Sequence, residues 1–161
     1  MTIRSATFSW STDSGCRPAS LPFTDAAELV LVFASGELAA HWSDALRSID
    51  DAYPGAVIVG CSSAGETIDT GVPDAGITAV AICFEATCVQ AELVQLEGRD
   101  TVAAVHSLGA QLPSEGLRYA LVLADGLAIN GSDLATSIRR VLPPEVLVTG
   151  GLAGDGARFE K

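Results

Sequence analysis

The residues best suited to chemistry lie in one short segment, GCSSAGE at 60–66, which combines a thiol, two hydroxyls, a carboxylate and two glycines. It follows the unbroken apolar run AVIV at 56–59, the pattern of a buried parallel strand. Open α/β sheets bind ligands beyond the carboxyl ends of such strands. The segment therefore predicts a ligand site, although an ordinary glycine-containing turn explains the same pattern equally well.

The residue types in this segment suit a small zwitterion. The amides and hydroxyls of Ser62 and Ser63 can hold a carboxylate, and the carboxylate of Glu66 can hold an amine. Gly65 has no side chain, so it leaves free the space that a ligand would fill. An amino acid is a ligand of this kind.

Three further apolar strands are predicted to end in small or polar residues, at Ala34-Ser35-Gly36, Asp125-Gly126 and Gly150-Gly151. If all four strands are parallel neighbours in one sheet, these endings line a single edge. The alternative for Asp125 is that it caps the backbone of its own glycine-flanked turn. The predicted ligand-binding residues are Gly60, Cys61, Ser62, Ser63, Gly65, Glu66, Asp125, Gly126, Gly150 and Gly151.

Catalysis is less well supported than binding. Cys61 stands where a nucleophile would, but the only histidines available as a base are His41 and His106, and a GxSxG elbow is absent. The four cysteines form no CxxC pair, so no metal site is predicted. We expect a protein that is not an enzyme, with a cysteine-dependent hydrolase as an alternative.

The order of the predicted elements indicates an α/β fold with a largely parallel or mixed sheet, flanking helices and an inserted β-hairpin. Apolar runs separated by helical patterns predict parallel strands with right-handed crossovers. No internal repeat is evident. The predicted strands are an edge strand at 3–10, then 29–33, 56–60, a hairpin of 77–84 with 88–96, 119–124 and 146–149, with a loop at 11–23. The predicted helices are 37–52, 100–112 with Asp100 as its N-cap, and one that Asn130 caps. The predicted inner stripes are Leu38, Trp42, Ala45 and Ile49 in the first helix and Val102, Val105, Gly109 and Leu112 in the second.

Composition limits the class of protein. The chain has 161 residues, 48% of them hydrophobic, which predicts one domain over 1–161 with a substantial core. A net charge of −11 speaks against nucleic acid or an anionic membrane as a partner. The sequence shows no secretory signal peptide and no apolar stretch of membrane-spanning length. A cytoplasmic location is expected.

Three segments in this order resemble the N-terminal module of the FIST family: VIVGCSSAGE at 57–66, LVLADGL at 121–127 and TGGLAGDGARF at 149–159. The resemblance covers residues 28–159. It implies a sensory domain of signal transduction that binds a small ligand such as an amino acid. The chain stops at Lys161, where FIST proteins usually continue into a C-terminal module, so a truncated module is expected.

The resemblance also implies partners and one rival function. Some relatives resemble haem proteins that respond to nitric oxide and control kinases or cyclic-dinucleotide enzymes. A haem-binding sensor is therefore the alternative, with His41 and His106 as the candidate ligands. A histidine kinase or a cyclic-dinucleotide enzyme is the expected signalling partner.

Overall fold

The computed structural model describes residues 2–11, 13–64, 76–96, 98, 100–113 and 115–154, apart from the side chains of 37, 39 and 40. These residues form two compact units. The first unit runs to Val89 and includes Gly154, and the second covers Gln90–Ala153. The predicted α/β class is confirmed. No helix in the described part of the chain is long and apolar enough to cross a membrane.

The described residues form strands β1 (Ile3–Ser11), β2 (Gly15–Arg17), β3 (Leu29–Ser35), β4 (Val57–Ser63), β5 (Ile77–Phe84), β6 (Tyr119–Asp125) and β7 (Leu147–Ala153). The helices are α1 (Trp42–Ala52), α2 (Thr101–Gln111) and α3 (Gly131–Val141), and a 3-10 helix, Gly36–His41, leads into α1.

The first unit is built on a five-stranded mixed sheet with the order β2-β1-β5-β3-β4. Strands β3 and β4 are parallel and are joined through α1, as the strand–helix–strand pattern predicted. Strand β5 runs antiparallel to both of its neighbours, β1 and β3. The expectation that the first strand lies at an edge is wrong, because β2 forms within the predicted loop and pairs with it.

The predicted hairpin partner of β5 is not formed. Residues 87–96 have no regular secondary structure, and Leu93 among them is 93% exposed. The reason lies in the sheet: β1 and β3 already occupy both edges of β5, so no row of backbone donors and acceptors is left for a following strand.

The prediction that four strands are neighbours in one parallel sheet is also wrong. Strands β6 and β7 form a separate two-stranded parallel sheet in the second unit. Each strand–helix–strand pattern correctly predicted a parallel pair, but local patterns do not specify which pairs share a sheet. The argument that four strand ends line one edge loses its basis.

The core of the first unit lies between α1 and one face of its sheet. Ala45 and Ile49 of α1 are fully buried, as the predicted helical stripe requires. Tyr53, just beyond the helix, stacks on Phe8 with ring centroids 5.6 Å apart. The Tyr53 hydroxyl donates a hydrogen bond of 2.8 Å to the carbonyl oxygen of Pro22. This end of α1 is therefore fixed to the sheet and to the loop before β3.

The helices of the second unit begin at the predicted caps. The Asp100 carboxylate accepts a hydrogen bond from the amide of Ala103 at 2.9 Å, which starts α2. The Asn130 side chain accepts from the amide of Ser132 at 2.9 Å and from that of Asp133 at 3.3 Å, which starts α3. In the predicted inner stripe of α2, Val105 is buried but Val102 is 51% exposed.

The two units contain the same strand–helix–strand arrangement, so the expectation of no internal repeat is wrong. Position 119, where β6 begins, is 90 residues after position 29, where β3 begins, and position 147 of β7 is 90 residues after position 57 of β4. The helices between them, α1 and α3, both have 11 residues.

The two strand pairs also share a glycine at the same register position. Gly60 of β4 lies opposite Val32 of β3, and Gly150 of β7 lies opposite Val122 of β6. In both cases a Cβ atom would overlap the carbonyl oxygen of the opposite valine. Each parallel pair therefore needs glycine at this point.

Candidate functional site

The first unit contains a cavity of about 510 Å³ between one flank of α1 and the sheet. This volume lies within the range of small-molecule sites, roughly 300–1,000 Å³. Most of the lining is apolar, and two of the lining residues that the structure describes are charged. The lining residues are Val32, Ala34, Trp42, Leu46, Arg47, Asp50, Ile58, Gly60, Cys61 and Ile77.

Helix α1 supplies one wall of the cavity through residues next to its buried stripe. At 100° per residue, Leu46 and Asp50 lie about 40° and 80° around the helix from Trp42, and Arg47 lies about 140° around it. The buried stripe of Ala45 and Ile49 faces the sheet, so Trp42, Leu46 and Asp50 stand beside it, whereas Arg47 lies on the opposite side of the helix and reaches the cavity only at its rim. Leu46 is 42% exposed, which places the charged residues near the mouth.

The sheet supplies a floor of short side chains. Val32 and Ala34 lie on the face of β3 that packs on α1, and Gly60 of β4 is paired with Val32. Because glycine is required at position 60, no side chain rises from the middle of this floor. Ile58 and Ile77, on the strands flanking β3, give the floor apolar sides.

Trp42 forms an aromatic wall whose one polar group already has a partner. Its indole Nε1 donates a hydrogen bond of 3.2 Å to the carbonyl oxygen of Ser35, the last residue of β3. Since Nε1–H is the only polar group of an indole, the rest of the ring offers apolar surface. The same bond fixes the beginning of α1 to the end of β3.

The charged residues of the lining have opposite signs and lie three positions apart on α1. The guanidinium of Arg47 is 3.8 Å from the carboxylate of Asp44, but both side chains are more than 70% exposed, so this pair is weak. Arg47 can therefore turn toward a bound anion at little cost. Asp50, also exposed, is one helical turn from Arg47.

Four of the residues predicted to bind a ligand lie in β4, not beyond it, because this strand continues to Ser63. Successive residues of a strand face opposite sides of the sheet. Gly60 and Ser62 thus share the α1 side, where their partners Val32 and Ala34 lie, and Cys61 and Ser63 belong to the other side. Gly60 lines the cavity from the α1 side, and Cys61 contributes to the lining from the other face because β4 is the last strand in the order of this sheet.

Burial raises the pKa of the Cys61 thiol. A thiol with a raised pKa carries less of the thiolate that acts as a nucleophile at neutral pH. His41 and His106 are both exposed, and neither is part of the cavity lining. The hydrolase and haem alternatives thus gain no support from the positions of these residues.

The other predicted site residues in the described structure belong to the second unit. The Asp125 carboxylate accepts hydrogen bonds from the amides of Leu127 at 2.8 Å and Ala128 at 3.2 Å, so it caps its own turn. A Cβ atom on Gly126 would overlap the carbonyl oxygen of Ala153. Gly150 and Gly151 lie inside β7, which extends to Ala153.

Two predicted site residues, Gly65 and Glu66, lie outside the described residues. Among the described residues, no group of three or more histidine, cysteine, aspartate or glutamate side chains is arranged to hold a metal ion.

Sequence reasoning missed the α1 wall. The sequence pattern places Trp42 in the apolar stripe of the helix and predicts no role for Leu46, Arg47 or Asp50. A signal was present: residues 42, 46 and 50 recur every four positions, which traces a second row beside the stripe of Ala45 and Ile49. Every amphipathic helix has such a border between its apolar and polar faces, so this row marks where a cleft can open and does not by itself identify one.

The comparisons with known proteins agree with the motifs. A model of the FIST N domain matches residues 28–161, from the residue before β3 to the end of the chain. No curated protein and no solved structure matches the chain. FIST domains are sensory domains of signal-transduction proteins. Because the matched range covers most of its length, the chain belongs to the FIST family.

Proposed function

We propose that this chain is a sensory domain that binds a small polar ligand, such as an amino acid, in the cavity beside α1. The observation that carries this proposal is the cavity itself, which has a suitable volume and apolar walls with charged residues on one side. Its floor lies along β3 and β4, where the motif GCSSAGE begins. Family membership supports a sensory role rather than a catalytic one.

The route of the signal begins at α1. A ligand shifts a protein between two states only by binding one of them better. A ligand in the cavity contacts α1 on one side and the sheet on the other, so it favours the arrangement of α1 that closes on it. The output then passes to a signalling partner, such as a histidine kinase or a cyclic-dinucleotide enzyme, that recognises the arrangement of α1.

The test is a thermal-shift screen of the whole chain against amino acids, nucleotides and haem, followed by calorimetric titration of each hit. A compound that binds the native state raises its stability by mass action. In a Leu46→Trp variant the larger side chain fills the mouth of the cavity. Ser48→Trp is the matched control, because Ser48 is exposed and lies about 160° around α1 from Leu46.

We expect a hit whose binding is lost in Leu46→Trp and kept in Ser48→Trp. Equal binding by both variants would place the ligand outside this cavity. A screen without any hit would overturn the proposal of a small-molecule sensor.

A further inference from the structure

The ligand class follows from the distribution of polarity around the cavity. Helix α1 contributes one cation and one anion, Arg47 and Asp50, and the other lining residues in the described part of the chain carry no formal charge at neutral pH. Among the described residues, the ligand therefore meets charge on one side only. A compound with polar groups at both ends, such as a nucleotide or a dicarboxylate, would bury one of them against apolar walls, at a cost in free energy.

Building on the proposed function, we propose that the cavity selects zwitterions with a bulky apolar body. The carboxylate of such a ligand pairs with Arg47, its ammonium group pairs with Asp50, and its apolar body lies against the indole of Trp42 and the side chains of Ile58 and Ile77.

The charge pattern supports this orientation. With 20 acidic and 9 basic residues, the chain repels a simple anion overall, so an anionic group needs a local cation. Arg47 is that cation, and its planar guanidinium matches the geometry of a carboxylate. Asp50, one turn further along α1, repels a second negative charge and attracts an ammonium group. A head group with both signs satisfies both side chains.

The apolar part of the lining supplies the second half of the selectivity. Trp42 already donates its indole N–H to Ser35, so the ring has no polar group left for a hydrophilic body. Gly60 and Ala34 keep the floor low, which leaves room for a branched or aromatic side chain. A small hydrophilic amino acid would fill the head-group position and leave the apolar walls uncovered, so it would gain little from burial.

Four probes separate these contributions in calorimetric titrations of the whole chain: L-phenylalanine, 3-phenylpropionate, phenethylamine and L-serine. The first has both charges and an apolar body, the next two each lack one charge, and the last lacks the body. We expect L-phenylalanine to bind at least tenfold more tightly than any of the other three.

Two charge variants assign the contacts. Arg47→Gln should weaken L-phenylalanine and 3-phenylpropionate by about tenfold and leave phenethylamine unchanged, since a hydrogen bond to a charged group contributes about a factor of ten or more in affinity. Asp50→Asn should weaken L-phenylalanine and phenethylamine and leave 3-phenylpropionate unchanged. Asp44→Asn is the control for loss of a carboxylate on α1, because Asp44 is not part of the lining and its removal should weaken the binding of none of the four probes.

The outcomes distinguish this inference from the function on which it rests. If L-serine binds as tightly as L-phenylalanine, or if neither charge variant alters binding, the selectivity is wrong. If none of the four probes binds but a screened compound binds and is blocked by Leu46→Trp, the cavity is a sensory site for another ligand class and only this inference fails. If no compound binds at all, the proposed function fails with it.

Discussion

The indole Nε1 of Trp42 donates a hydrogen bond to the carbonyl oxygen of Ser35 at 3.2 Å, and this bond connects the beginning of α1 to the end of β3. The residues between them form the 3-10 helix Gly36–His41, and His41 makes no side-chain cap for α1. The indole bond therefore provides an anchor at an end of α1 that lacks the usual side-chain cap.

Replacing Trp42 by Phe should lower the free energy of unfolding by about 1 kcal/mol, the usual contribution of one hydrogen bond. The measurement is chemical denaturation followed by circular dichroism. Trp10 is the only other tryptophan, so Trp10→Phe is a companion variant that leaves Trp42 as the single tryptophan. Ligand binding should change the fluorescence of Trp10→Phe and not that of Trp42→Phe; the reverse pattern would place the ligand away from α1.

Replacing Gly60 by Ala should lower the free energy of unfolding by about 1–3 kcal/mol, the range observed for overpacked sites. The added Cβ atom would overlap the carbonyl oxygen of Val32, a backbone atom that can move only with β3. Gly55→Ala is the control, since a Cβ atom at Gly55 meets no other atom within 4 Å and should change stability little. Equal midpoints of urea denaturation for both variants would contradict the prediction.

Burial raises the pKa of Tyr53 to about 12, with smaller contributions from the charges of Cys16 and Cys83. An unfolded tyrosine ionises near pH 10. Below that pH the phenol is neutral in both states, so its contribution to stability is complete. As the pH rises from about 10 to 12, the unfolded state loses its proton first, and the contribution of the neutral phenol to stability is lost.

Between pH 10 and 12, the free energy of unfolding should therefore fall more for the wild-type protein than for Tyr53→Phe. The variant also lacks the hydrogen bond to Pro22, so it should start about 1 kcal/mol less stable at neutral pH. The difference between the two proteins, measured by urea denaturation at several pH values, should shrink as the pH rises. A constant difference would contradict the raised pKa.

Cys61 should react more slowly than Cys88 with iodoacetamide at pH 7.5. Burial raises the pKa of the Cys61 thiol, whereas Cys88 is exposed. Because the thiolate is the reacting species, burial slows the reaction of Cys61 both by limiting access and by raising its pKa. Peptide mass spectrometry after timed labelling gives the two rates. A faster rate at Cys61 would indicate an activated thiol and would revive the hydrolase alternative.

The sequence predicted what depends on local pattern. Several features that follow from local patterns are confirmed by the structure. They are the caps Asp100 and Asn130, the stripe of Ala45 and Ile49, and the two parallel strand pairs. The division into two sheets could not be predicted, because it depends on which strand edges are already occupied.

The candidate site was predicted only in part for the same reason. Gly60 and Cys61 line the cavity, but the motif alone did not show that β4 runs on to Ser63 and that its residues therefore alternate between the two sides of the sheet. The charged wall comes from α1, across the core from the motif. Its role depends on how the helix is rotated against the sheet, which apolar spacing fixes only within tens of degrees.

The equal spacing of the two strand–helix–strand arrangements has an evolutionary consequence. A tandem duplication of one ancestral segment would leave what is observed: equal helices, equal registers and a glycine at Gly60 and Gly150. Counted from the start of each helix, the second copy has Gly131 where the first has Trp42, and Arg139 where it has Asp50. The two copies thus share one backbone arrangement and differ in the side chains that α1 and α3 carry. Under the proposal that α1 lines the ligand cavity, relatives that sense other compounds should keep both glycines and differ along α1.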